Sequence, residues 1–167
     1  YLGSTQLQAA RAKHPALKCI MPTAFVGDFT RIFPYLNGIP MRSVFMQWYK
    51  VADLDRMDDL DATYGDTALL KHPVWGKAFR HRPLIEAADK ILKGDKLASW
   101  KDCIRHPLDD DFWQGIHFTD QELLDLDLPI FFTDGWYDST IGPIDFFSRL
   151  EALQPNRSDR YLLVGPW

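Results

Sequence analysis

The sequence predicts an α/β fold in which a parallel sheet is interrupted by an inserted helical layer, and three observations carry the prediction. Residues 128–139, Leu-Pro-Ile-Phe-Phe-Thr-Asp-Gly-Trp-Tyr-Asp-Ser, place a proline just ahead of a continuous apolar run that stops on a glycine. That is the pattern of a short strand covered on both faces. A helical stretch and a second apolar run follow it, the strand, helix, strand order of a parallel crossover. Residues 23–126, in contrast, read as helices broken by Pro, Gly and acidic turns, with no alternating strand pattern.

At 167 residues the chain can build one core and is short for two full domains. Nineteen basic against twenty-three acidic residues leave a net charge of −4, with no basic run and no arginine-aromatic interleaving, so nucleic acid is not an expected partner. No apolar run approaches the roughly 20 residues that span a bilayer, and the start has no signal-like pattern. The expectation is a soluble chain with no membrane partner. The aromatic share of 14% calls for a dense aromatic core or an aromatic-lined pocket. Cys19 and Cys103 lack paired-cysteine spacing and read as two small buried hydrophobes.

Taken in order, Thr5 to Ala12 is helix-forming, with Leu7, Ala9 and Ala10 among polar residues, and His14-Pro15 stops it because a residue before proline is driven out of the α region. Leu17 to Met21 then reads as a buried strand closed by Pro22. In the helical layer, Met41, Val44, Phe45, Trp48, Val51 and Ala52 share one helical face. The acid-rich segment Asp53 to Asp61 lacks the glycine and terminal glutamate of a calcium loop and reads as a solvated face or turn. Leu84 to Lys93 and Leu97 to Ile104 are two short amphipathic helices parted by Lys93-Gly94-Asp95. After the strand at Ile130, Pro143 suits a first helical position, and Ile144, Phe146, Phe147, Leu150 and Leu153 supply a buried face. Gln154-Pro155-Asn156 ends that helix, and Tyr161 to Val164 is the next strand.

Asp138 follows Gly135-Trp136-Tyr137 on a loop at the carboxyl end of a strand, the edge where open α/β sheets place ligands. A loop aspartate is also an ordinary turn former, and Asp134, at the strand's end, is a rival acid. Three of the five histidines, His14, His72 and His106, precede proline and suit helix ends. His81 lies between two arginines and His117 follows an acidic stretch. A metal hydrolase built from His106, Asp109 or Asp111, and His117 is one competing reading, although no histidine pair has a convincing ligand spacing. A noncatalytic α/β binding domain is another, should the chain be complete. A Ser-Asp/Glu-His hydrolase orders its parts as serine elbow, acid, histidine. Here none of Ser4, Ser43, Ser99, Ser139, Ser148 or Ser158 has Gly-x-Ser-x-Gly surroundings, and no histidine follows Asp138.

The chain is similar throughout to the serine α/β-hydrolase group of cocaine esterase, α-amino-acid ester hydrolases and X-prolyl dipeptidyl peptidases. Tyr1-Leu2-Gly3 resembles the second half of that group's Gly-x-Ser-Tyr-x-Gly elbow, followed by the matching Gln8-Ala9-Ala10 and Leu17-Lys18. Asp109 to Trp113 resembles its acid-plus-tryptophan segment, Gly135 to Asp138 its acid loop, and Val164 to Trp167 the run into its catalytic histidine. The resemblance implies a partial α/β-hydrolase fold, with core at residues 1–22 and 127–167 and a helical cap at 23–126. It implies Asp138 as the triad acid, the nucleophile just before Tyr1, the histidine two residues beyond Trp167, and the Tyr1 backbone N–H as an oxyanion donor. Trp136, Tyr137 and Thr140 are the substrate-pocket candidates; some group members carry an aromatic ring where this chain has Thr140. No metal or other cofactor is implied. The implied partners are a small ester or amide substrate and the remaining segments of the same catalytic domain, so that the segment alone is expected to be inactive.

Overall fold

The computed structural model describes residues 2–32, 34–41, 75–91, 98–138 and 140–167. The helical face from Met41 to Ala52, apart from Met41 itself, the acidic segment 53–61, and His72 fall outside them, as does Tyr1. The chain divides into two compact units, residues 1–33 with 110–167, and residues 34–109.

The first unit is built on two parallel strands. β3 (Ile130–Gly135) pairs with β4 (Arg160–Gly165) in register from Ile130 opposite Arg160 to Gly135 opposite Gly165. The α7 helix (Gly142–Leu153) connects them, with Pro143 in its first turn, where a missing N–H leaves no intrahelical bond unmade. Burial in β3 alternates. Ile130, Phe132 and Asp134 are 0 or 1% exposed, whereas Phe131 and Thr133 are half-buried. The strand therefore buries one face more completely than the other, where the continuous apolar run had suggested equal cover on both.

The α1 helix (Leu2–Arg11) begins the unit and sends Leu7 and Ala10 into its core. It ends with Lys13 in the left-handed region (φ 52°), whose N–H returns to the Ala10 carbonyl at 2.9 Å. The segment after it runs beside β3, through parallel bridges at Ile20 with Ile130 and Thr23 with Thr133. This corrects the expectation of a fully buried strand over Leu17 to Met21. Pro22 has no N–H to extend a ladder, and side chains alternate, so Ile20 is 4% exposed while Met21 is 57% exposed. The same alternation exposes Cys19. Only Cys103 of the two cysteines is the buried hydrophobe expected of both.

Aromatic rings close this core. Phe25 meets Phe146 edge-on at 5.1 Å between centroids, and Phe118 meets Phe146 at 5.5 Å. Leu123, Leu126 and Leu150 fill the space around them. Two short helices lead into β3, α5 (Asp111–Gln114), capped by the Asp110 carboxylate, and α6 (Asp120–Leu124). Thr119 and Glu122 form a capping box on α6, each side chain bonded to the other's backbone N–H. Thr119→Ala is expected to cost about 1 kcal/mol, read as a lowered urea midpoint at unchanged slope.

Residues 34–109 hold an antiparallel pair too short to show as an alternating pattern, β1 (Tyr35–Leu36) with β2 (Ile39–Pro40). Asn37 and Gly38 both have positive φ, 48° and 82°, as a two-residue hairpin turn requires. The Tyr35 hydroxyl donates to the Cys103 carbonyl at 3.0 Å, and burial pushes its pKa up to about 12. The helices of this unit are α2 (Trp75–Arg80), a 3₁₀ turn (Leu84–Glu86) running into α3 (Ala87–Ile91), and α4 (Ala98–Arg105), which buries Trp100 and Cys103. The last three elements fall where two amphipathic helices were expected.

Candidate active site

The carboxyl edge of the β3–β4 sheet gathers three parts of the chain. One is the loop that leaves β3. The Trp136 N–H donates to the Gly165 carbonyl at 3.0 Å and the Tyr137 N–H to the Trp167 carbonyl at 3.1 Å, so the loop is bound to the end of β4 on one side. On the other side Ile141 bridges Phe25, whose carbonyl accepts the Gly142 N–H at 3.1 Å. Phe25 in turn adjoins the start of α1. A Cβ placed on Gly3 would run into the Thr23 carbonyl and touch the Phe25 Cβ. The first turn of α1, the loop from Trp136 to Ile141, and the Gly165–Trp167 segment thus converge on one edge.

Glycines permit the closest of these approaches. Gly135 and Gly165 face each other across the ladder, and Trp167 folds back over both. A Cβ on Gly165 would enter the Trp167 ring, and one on Gly135 would enter the Trp167 carbonyl. Trp136 and Tyr137 extend from the loop, 68% and 84% exposed.

Asp138 is half-buried in that loop. Its Oδ1 accepts two hydrogen bonds from Thr140, from the backbone N–H and from the hydroxyl, each at 2.8 Å. Its Oδ2 accepts none among the described residues. Thr140, named from the sequence as a pocket candidate, is therefore half-buried against the acid and bonded to it.

Asp134 differs in burial and in electrostatics. It lies within β3 and is 0% exposed; its Oδ1 accepts the Gly135 N–H at 2.9 Å, and its buried Oδ2 has no hydrogen-bond partner. Burial lifts its pKa from 3.8 to about 6; the backbone N–H groups of Gly135 and of Ile144 in the first turn of α7 oppose the lift, and the charge of Asp138 adds to it. The folded chain therefore holds this proton more tightly than the unfolded chain. The stability contributed by this group is full below pH 3.8 and is lost as pH rises through about 6. Asp134→Asn, which keeps an acceptor for Gly135 and cannot ionise, is expected to flatten that part of the stability profile and to exceed the parent in urea midpoint above pH 6.

Two residues of the competing metal reading, His117 and Asp111, make other contacts. His117 stacks on Trp113 at 5.8 Å and on Phe29 at 6.0 Å, and its Nε2 accepts the Phe29 N–H at 2.9 Å, so that nitrogen has no lone pair left for a metal. The Asp111 carboxylate accepts from the Gln114 side chain at 2.7 Å. Among the described residues no group of three His, Cys, Asp or Glu side chains could hold a metal ion, and no helix is long and apolar enough to cross a membrane.

A family model described as X-Pro dipeptidyl-peptidase (S15 family) matches residues 1–167, the whole chain. The chain belongs to that family. Among curated proteins it is 29% identical to the cocaine esterase of Rhodococcus sp. (strain MB1 Bresler) over 177 aligned residues, which take in 100% of this chain and 29% of that protein. The chain thus spans under a third of the length of the curated relative it matches. The S15 family is of the α/β-hydrolase type, and the parallel β3–β4 pair with its α7 crossover agrees with that assignment at the level of an α/β fold.

Proposed function

We propose that this S15 chain is the central part of a serine hydrolase domain that cleaves an ester or amide through an acyl-enzyme, with Asp138 as the acid of the triad. The observation that carries the reading is the convergence of α1's first turn, the Asp138 loop and the Gly165–Trp167 segment on one sheet edge. In this reading the nucleophilic serine immediately precedes Tyr1 and the histidine lies two residues beyond Trp167. The helical layer is in this reading an insertion into a partial α/β-hydrolase core, and the boundaries expected at residues 23 and 126 fall inside the first unit, which takes in residues 1–33 and 110–167.

Each group then has a distinct task. The histidine takes the serine proton as the serine oxygen attacks the substrate carbonyl, and returns it to the leaving group as the carbonyl re-forms. Asp138 accepts the histidine's Nδ1–H on Oδ2, which accepts no bond among the described residues, and this fixes the ring's tautomer and stabilises its positive form. The Tyr1 backbone N–H stabilises the negative charge that develops on the carbonyl oxygen. Water completes the cycle by releasing the acid. Trp136 and Tyr137, exposed beside Asp138, offer apolar faces to the substrate.

A partition experiment tests the acyl-enzyme. With the full-length protein, esters that share an acyl group but differ in leaving group should give one constant ratio of hydrolysis to transfer onto an added alcohol or amine, because all pass through the same intermediate. Ratios that change with the leaving group, or turnover that chelators abolish, would contradict it.

A further inference from the structure

We infer that Thr140 is a positioning residue for the Asp138 carboxylate, an inference that rests on the reading of Asp138 as the triad acid. Both Thr140 donors fall on the same oxygen, Oδ1, at 2.8 Å each, and Oδ2 accepts no hydrogen bond among the described residues. Two donors on one oxygen fix the carboxyl torsion, so that only the other oxygen can meet a histidine. Thr140 is itself held on both sides. Next to it Ile141 bridges Phe25 and Gly142 bonds the Phe25 carbonyl, while ahead of Asp138 Trp136 and Tyr137 are bonded to Gly165 and Trp167.

The hydroxyl adds a second consequence. A hydrogen bond donated to a carboxylate favours its charged form and draws charge toward the bonded oxygen. Oδ2 is then less basic than in a bare carboxylate and stabilises the imidazolium less strongly. Removing the hydroxyl while retaining the backbone donor leaves more charge on Oδ2, loosens the torsion and raises the histidine's pKa. The side chain at position 140 thus acts on the acid, and a pocket-lining role would act on the substrate.

Three variants of the full-length protein separate these outcomes. Thr140→Val, nearly the same shape without the hydroxyl, is expected to lower kcat about tenfold, the scale of one hydrogen bond to a charged group. KM should change little, and the acid limb of the kcat/KM profile should move to higher pH. Thr140→Ser restores the donor and should return kcat and the limb toward the parent values. Should valine disturb folding in thermal melts, Thr140→Ala provides the same comparison against serine. A change in KM with kcat and the limb unmoved overturns the positioning role, as does serine behaving like valine. Asp138→Asn separates the role of Thr140 from that of Asp138. If it is inactive while Thr140→Val behaves as the parent, only the role of Thr140 fails; if it retains parental turnover, the assignment of Asp138 beneath it fails.

Discussion

Asp138→Asn in the full-length protein is expected to lower kcat by about four orders of magnitude without unfolding it. The size follows from the proposed role of Asp138 as the acid that orients a catalytic histidine. An amide in place of the carboxylate can present its NH₂ to the histidine, which favours the wrong tautomer and withdraws the charge that stabilises the imidazolium. Folding should survive because Asp138 is half-buried on a loop, and its own bonds from Thr140 fall on one oxygen that an asparagine also has. Urea denaturation checks this, with a midpoint close to the parent. The rival acid gives the contrast. Asp134→Asn acts on a wholly buried group inside β3 and should alter the pH dependence of stability while leaving kcat within a few fold of the parent.

Gly135→Ala carries the second large effect. The added methyl would occupy the space of the Trp167 carbonyl, which is backbone and itself accepts the Tyr137 N–H. Neither partner can rotate away, so the end of β4 and the acid loop must separate. Overpacking of this kind costs on the order of 1–3 kcal/mol. Because a displacement of about 1 Å can cost about 100-fold in rate, kcat should fall by that order while the protein remains folded. Steady-state kinetics with a parallel melt checks both, and a kcat equal to the parent's would mean that the contact between Trp167 and the loop does not position the site.

The sequence shows the elements of the first unit where punctuation and periodicity agree. Pro129 and Gly135 bracket β3, Pro143 and Gln154-Pro155 bracket α7, and His14-Pro15 closes the first helix within a few residues of its observed end. Burial was harder to read. Ile130-Phe131-Phe132 looks uniformly apolar, yet a pleated strand divides it between two faces, and the same parity places Asp134 with Ile130 and Phe132 in the core. At Leu17 to Met21 a short apolar run concealed that Pro22 breaks the ladder and that Met21 points outward. The β1–β2 hairpin escaped because two residues per strand leave no alternation to detect, although Asn37-Gly38 is the strongest local turn signal available.

The loop that carries Asp138 was legible at the end of its strand, but its internal bonding was not. Resemblance and the strand-end glycine both single out Asp138. The spacing Asp-x-Thr also suits a side chain that accepts bonds from the residue two positions on, and that signal points to the bonds Thr140 donates to Asp138. Nothing in the sequence tells that Trp167 lies over Gly135 and Gly165. The contact with Gly135 spans about thirty positions, and only the parallel register brings those two residues together.

The most direct test of the account is the mapped position of a fluorophosphonate adduct on the full-length protein. The account predicts a single phosphonylated serine, the residue immediately before Tyr1, formed far more slowly in Asp138→Asn than in the parent. An adduct on any serine within residues 1–167, or labelling at an unchanged rate in Asp138→Asn, would contradict it.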